Sequence, residues 1–194
     1  MKFSVLLIIL LLSGSLTMAQ DLNVEKSIFG AQIGLLGIWA HNEFRMSNEL
    51  AFRTELGLDS GIWYRDNDYY SDYGFVMAPV ISVEPRWYYN MKKREAKGKR
   101  LDGNGFNFLS LRISYHPDWF VFSNEDVDLV SDISFIPSWG IRRNLGKHFN
   151  FETGAGIGYR YVFSQDNGFE DDYDEIAVNL MFKIGYKFKT KKQP

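Results

Sequence analysis

From residue 27 onward the chain alternates apolar and polar positions in long stretches separated by polar breaks. In residues 149–163, Phe149, Phe151, Thr153, Ala155, Ile157, Tyr159, Tyr161 and Phe163 fall on one face; Asn150, Glu152, Arg160 and three glycines fall on the other. In the last stretch Ile176, Val178, Leu180, Phe182, Ile184, Tyr186 and Phe188 oppose Asn179, Lys183 and Lys187. Side chains alternate across a strand, so a period of two gives each strand one apolar and one polar face. The pattern predicts strands over 27–42, 48–64, 75–90, 105–122, 129–145, 149–164 and 176–188. No long helical period and no low-complexity segment interrupts them.

Seven such segments are clear, and they are long. A soluble strand averages about 5–6 residues, whereas a tilted membrane strand needs ~9–11. Aromatic residues gather near segment ends: Trp63 and Tyr64, Trp87 to Tyr89, Trp119 and Phe120, Tyr159 and Tyr161, Tyr186 and Phe188. That placement fits the interfacial girdles of a membrane barrel. The expected fold is all-β, an antiparallel up-and-down transmembrane β-barrel of about eight strands. An eighth strand could come from residues 20–27 or from two strands read as one, and the bend at His116-Pro117-Asp118 is a place where proline would break a ladder. The competing architecture is a soluble secreted ligand-binding barrel, with the apolar faces turned inward.

The breaks form two alternating chemical sets. Those after the second, fourth and sixth segments are acidic, at 66–72, 124–128 and 166–175, and hold half of the 24 acidic residues. Those after the first, third and fifth are short or basic, at 45–48, 91–104 and 146–148; the second of these carries Lys92, Lys93, Arg94, Lys97, Lys99 and Arg100. An up-and-down barrel puts alternate connections at opposite ends, so one rim should be acidic and the other basic. Longer loops usually face outward, which assigns the acidic rim to the exterior, although 91–104 is long for a periplasmic turn.

The first residues are of another kind. Lys2, an unbroken apolar run over 5–12 and the small residues Thr17 and Ala19 read as a signal peptide over 1–19, cleaved before Gln20. The run is too short for a spanning helix of ~20 residues. The barrel is then expected over 20–188, with a basic tail at 189–194. Net charge is −2, which gives no global field for nucleic acid, and there is no cysteine for a disulfide, thiolate metal site or lipid anchor.

Candidate chemistry lies on the polar faces. Arg53, Glu55, Asp59, Glu84, Arg86, Arg112, Asp132, Arg142, Glu152, Arg160 and Lys183 would point into a lumen that eight strands leave only wide enough for side chains. They are expected to form a charge-paired network filling the lumen, with a narrow ion or solute path as the alternative. Asp66, Asp68 and Asp72 begin like a calcium loop, but Tyr70, Ser71 and Met77 stand where such a loop needs a ligand, glycine and glutamate, so no metal or other cofactor is expected. His116, with Asp118 and Ser123 nearby, is the sole triad-like cluster; no spacing motif supports catalysis, and an enzyme, such as a lipid-modifying barrel, is the minor expectation. Gly154, Gly156 and Gly158 lack a following helix and so are no dinucleotide fingerprint; they are expected to make room for Glu152, Arg160 and other large lumen side chains. The basic 92–100 stretch is expected to be a solvated turn, or else to meet anionic headgroups or a periplasmic partner.

Taken together, the export signal, the aromatic-edged alternating strands and a last strand carrying Tyr186 and Phe188 resemble the small outer-membrane β-barrels of Gram-negative bacteria, the OmpA-like or OmpW-like group. The resemblance is one of pattern over residues 27–188, and six residues follow Phe188. It implies an outer-membrane location, contact with outer-membrane lipid, and recognition of Tyr186 and Phe188 as an assembly signal by barrel-assembly machinery. It implies no catalytic residue. The expected role is structural or surface-interacting, through the acidic loops toward an extracellular or periplasmic partner, with a porin-like narrow pore as the alternative.

Overall fold

The computed structural model describes residues 22–67, 70–124, 129–164 and 171–188, and for 62–67 and 70–73 the backbone alone. The expected signal peptide and C-terminal tail lie outside these residues. The strands are β1 (Ser27–Gly34), β2 (Gly37–Arg45), β3 (Leu50–Asn67), β4 (Tyr70–Trp87), β5 (Asn107–His116), β6 (Phe122–Ser123), β7 (Asp132–Leu145), β8 (Phe149–Val162) and β9 (Tyr173–Lys187). A short helix, α1 (Met91–Glu95), and a 3-10 turn at Asp102–Asn104 lie between β4 and β5. All pairings are antiparallel, and β9 pairs with both β8 and β1. The β3–β4 pairing closes the sheet on itself. Both β5 and β6 pair with β4, so they occupy one position in the wall. The result is a closed eight-stranded antiparallel β-barrel.

The seven sequence segments become eight because 27–42 is two strands. Gly34 pairs with Gly37, and the two-residue turn between them is Leu35-Leu36. An apolar turn leaves no polar break in the pattern, so two strands read as one. The break at Pro117 is also real, since β5 ends at His116, but the chain resumes as β6 in the same wall position and adds no strand. Residues 22–26 form no strand. With eight strands, β1 starts and β9 ends at the same rim. That rim also carries the 46–49, 88–106 and 146–148 connections; at the opposite rim the chain turns at 35–36 and leaves β3, β5 and β8.

The strands are strongly staggered. A circuit of paired residues that leaves β9 at Lys187 runs through Gly30, His41, Glu55, Ser82, Ser114, Ser134 and Arg160 and returns to β9 at Glu175, twelve residues along. A stagger of that size over eight strands tilts them at the steep end of the usual range, about 45°.

Polarity is inverted relative to a soluble barrel. The inward positions include Glu43, Arg53, Glu84, Arg86 and Glu152, each buried without residual exposure. The outward positions include Ile33, Ile38, Leu56, Ile81, Leu111, Ile157 and Leu180, all exposed. Exposed aromatics bound this aliphatic band. Toward the termini stand Phe29, Phe44, Trp87, Tyr89, Phe149, Tyr186 and Phe188; toward the other rim stand Phe75, Tyr115, Trp119, Phe122, Phe135 and Tyr159. Along β8 the rings are ten residues apart, from Phe149 to Tyr159. At about 3.3 Å per residue and ~45° tilt that is a band roughly 25 Å tall.

Glycines on the inner face allow this tight curvature. A Cβ at Gly154 or Gly158 would overlap the Trp139 or Phe135 carbonyl of β7. What these positions accommodate is therefore the close approach of the neighbouring strand's backbone, and not the Glu152 or Arg160 side chain. At Gly140 the crowding atom is the Phe108 ring, which lies flat against the bare backbone.

Candidate functional site

The lumen divides into three levels: an apolar cap at the terminal rim, a charged layer in the middle, and an open vestibule at the other rim.

The cap is made by the 88–106 connection folding across the mouth. Tyr88, Met91 and Phe106 pack with Phe108, Ala51 and Met181 from the wall and with Val24 from the chain before β1. Tyr88 meets the edges of Phe106 and Phe108 at 5.8 and 5.7 Å. Hydrogen bonds hold the fold-over in place. Glu25 N–H donates to Asn104 Oδ1 at 2.7 Å, Gly103 N–H donates to Glu25 Oε1 at 2.9 Å, and Asn104 Nδ2 donates to Glu43 Oε1 at 2.5 Å. Gly103 and Asn104 both have positive φ, 59° and 54°, a region that glycine and asparagine tolerate best. The length of this connection, unusual for a turn, is thus explained by its packing. Of its basic residues, Arg100 pairs with Asp102 at 2.6 Å, an interaction that holds the Asp102 carboxyl below its ordinary range.

The charged layer is built around two carboxylates. Glu152 accepts from Arg142 Nε at 2.7 Å, from Arg53 Nη1 and Arg86 Nη1 at 3.1 Å each, and from Gln32 Nε2 at 2.8 Å. Glu43 accepts from Arg142 Nη2 at 2.7 Å and from the Tyr88 hydroxyl at 2.8 Å, which joins this layer to the cap. Glu55 accepts from Arg53 Nε at 2.6 Å and from Arg112, with the Lys183 ammonium 3.4 Å away. Glu84 pairs with Arg86 at 2.8 Å and leaves its other oxygen without a hydrogen-bond partner among the described residues. Four carboxylates and five cations thus share one buried layer. A lone buried charge costs several kcal/mol, so paired neighbours are what make such a layer tolerable.

All eleven polar-face residues named from the sequence take part in ion pairs, but they do not form one cluster. Arg53, Glu55, Glu84, Arg86, Arg112, Arg142, Glu152 and Lys183 lie in the charged layer; Asp59, Asp132 and Arg160 stand above it in the vestibule. Sequence reasoning missed Glu43, Gln32 and Tyr88. Glu43 lies one residue beyond the 27–42 segment, on β2, where the inward positions are odd-numbered; those of β1 are even-numbered, so an alternation carried through the turn puts Glu43 on the wrong face. Tyr88 was read as an interfacial aromatic, while its neighbours Trp87 and Tyr89 do face outward.

The vestibule is a cavity of about 500 Å³. Its floor is Trp39, Arg112 and Lys183, with the Lys183 ammonium 3.9 Å from the Trp39 ring centre. Trp39 Nε1 donates to Asp59 at 2.6 Å. His116 lies between two carboxylates, with Nδ1 2.9 Å from Asp132 and Nε2 3.2 Å from Asp59. Arg160 pairs with Glu175, and its Nη1 stands 4.0 Å from Asp132. The triad suggested by the sequence does not assemble: the carboxylates on His116 are Asp59 and Asp132, while the Asp118 backbone N–H is engaged with Ser131. Ser114 lines the same cavity, and its buried hydroxyl has no hydrogen-bond partner among the described residues. The Asp66–Asp72 carboxylates considered for calcium fall among residues whose side chains are not described. On the outside, Tyr186 and Phe188 pack at 5.3 Å, and Phe188 stacks on Phe29 at 5.4 Å.

Comparison with protein-family models, with curated proteins and with solved structures gives no match for this chain.

Proposed function

We propose that the protein is an integral outer-membrane β-barrel with a closed lumen, and that its role is structural and interactive, carried by the acidic loops at the rim opposite the termini. The inverted radial polarity carries this reading. A belt of exposed aliphatic side chains about 25 Å tall, bounded by two aromatic rings, matches the hydrocarbon layer that such barrels span. In water that surface would be an aggregation liability far larger than any ordinary apolar patch. Closure of the sheet supports it too, because a membrane strand has no water with which to satisfy an open edge.

The filled interior favours a structural barrel over a pore. A solute would have to cross a layer of interlocked arginines and glutamates and then the Tyr88–Phe106–Phe108 cap. The surface role rests on the β3–β4 hairpin. From Ser60 to Asn67, β3 pairs with β4 alone, so the hairpin extends about eight residues, roughly 25 Å along the strand, beyond its β2 neighbour. Its end carries acidic and tyrosine residues. Orientation with the termini in the periplasm places this hairpin outside the cell.

The test is fractionation of expressing cells, with the membrane fraction run on gels with and without boiling, followed by conductance of the purified protein in planar bilayers. A heat-dependent mobility shift in the outer-membrane fraction with no unitary conductance is the expected result. A soluble periplasmic protein would overturn the membrane reading, and discrete conductance steps would overturn the closed lumen.

A further inference from the structure

The barrel wall has a notch. The β1–β2 hairpin ends at the Leu35-Leu36 turn, while the strands on either side continue. On β9, pairing with β1 runs from Lys187 to Lys183 only, and β9 extends ten residues further to Tyr173. On β3, pairing with β2 ends at Asp59, and β3 extends eight residues further to Asn67. Among the described residues, no strand pairs with the 173–182 edge on the side that β1 leaves free. The stagger of the circuit places the turn about level with the lower members of the upper aromatic ring, Tyr115 and Phe135. The notch therefore opens at acyl-chain depth and rises through the interfacial layer.

Its rim and its interior differ in chemistry. The tip of the short hairpin is two leucines, 79% and 45% exposed, and the β9 edge presents Ile176, Val178 and Leu180, each 60% exposed or more. The same cavity that reaches Leu36, Ile176, Val178 and Leu180 also contacts Asp59, Arg112, His116 and Arg160 inside the barrel. A continuous surface thus leads from the apolar outer belt, around the free edge of β9, into a polar vestibule. Backbone groups of an open strand edge at this depth require a hydrogen-bonding partner, because lipid tails supply none.

Resting on the membrane reading above, we propose that this notch is a lateral binding site for a membrane amphiphile. One acyl chain lies over Leu35, Leu36 and the 176–180 edge, and a small polar head without net charge enters the vestibule. The balance of charge argues for such a head: Arg160 is matched by Glu175 and Asp132, the His116 ring lies between Asp59 and Asp132, and Arg112 and Lys183 at the floor are matched by Glu55, so no single sign is left in excess for an ion to answer. A net anion would displace Glu175 or Asp132 from Arg160, whereas a zwitterionic phosphocholine satisfies both signs. Its phosphate accepts from the backbone N–H groups of the β9 edge that β1 leaves free.

The experiment uses a mid-chain-brominated lysophosphocholine titrated into proteoliposomes of unbrominated phosphocholine lipid. The reporter is Trp39, which lines the vestibule, in a protein whose other four tryptophans are replaced by phenylalanine (W63F, W87F, W119F, W139F). A companion protein keeps the outward Trp139 alone. The expected result is saturable quenching of Trp39, quenching of Trp139 that follows bulk mole fraction, and loss of the saturable component in A177F, which narrows the mouth. Quenching of Trp139 with no quenching of Trp39 would overturn the site; absence of quenching at both would instead overturn the membrane reading. As a second measurement independent of tryptophan replacement, a photoreactive lysophosphocholine on the native chain should label 33–39 and 176–182. Dimers cross-linked through 173–182 would mean that a second copy of the chain fills the notch, and would also overturn the proposal.

Discussion

At the scale of single residues, Arg53, Arg86 and Arg142 converge on both Glu152 and Glu43, and Glu152 holds all three within 3.1 Å, where Glu43 has two of them at 3.7 Å. Removing one partner of a buried network leaves the others as uncompensated charges, at about 3–5 kcal/mol. Glu152→Gln keeps the shape and removes the charge, so its unfolding free energy, from urea unfolding followed by tryptophan fluorescence in detergent micelles, should fall by that order, with a lower midpoint. Glu84→Ala should cost less, since among the described residues Glu84 has Arg86 as its single ion-pair partner and leaves one oxygen unmatched. Neither variant should conduct in a planar bilayer. Equal midpoints for wild type and Glu152→Gln would mean that the network contributes nothing to holding the barrel.

At the scale of elements, the 88–106 connection behaves as part of the core. Phe108 links it to the wall: its ring packs on Tyr88, covers the bare backbone of Gly140, and lies 4.2 Å beneath the Arg86 guanidinium. Phe108→Ala should cost about 3–5 kcal/mol, the usual range for emptying a buried aromatic site. It should also speed proteolysis after the lysines of the connection, because the cap loses its seat. Unchanged stability with unchanged cleavage would indicate a connection that merely rests on the mouth. The β3–β4 extension is the opposite kind of element. Its outer residues pair along the hairpin, with Phe75 also bonded to Asn124, so replacing 62–75 by Asn-Gly should leave a two-residue hairpin turn and a barrel that still shifts on heating. Binding of any surface partner should be lost in the same variant. Failure of that shortened chain to fold would show that the extension nucleates the barrel and does not simply decorate it.

At the scale of the whole molecule, eight strands with a twelve-residue stagger define a lumen that side chains can fill. Filling it with arginines and glutamates instead of leucines leaves every apolar strand face free to point outward. Rings of aromatic residues at both edges then bound the belt, while the acidic and basic connections separate to opposite rims. An even strand number also returns both termini to the basic rim. The acidic hairpin therefore projects from the end opposite the termini.

Much of this architecture is local in origin and was legible before any coordinates. Strict alternation in 149–163 and 176–188 commits each residue to a face, because the side-chain period of a strand is two whatever its partners are. The charge set on one face and the aliphatic set on the other follow directly, as do the acidic and basic grouping of the breaks. Three things required the tertiary structure. Leu35-Leu36 is a turn by virtue of the Gly34–Gly37 pairing alone, since nothing in its polarity marks it, and this hid the eighth strand, the phase of Glu43 and the notch. Partner choice was equally invisible: His116 meets Asp59 and Asp132 from β3 and β7 and has no role with Asp118 beside it, because register sets which strands stand opposite. The fold-over of 88–106 was hidden by its lysines, which read as a solvated turn, while the residues that seat it, Tyr88, Met91 and Phe106, acquire their meaning only from the barrel mouth that they fill.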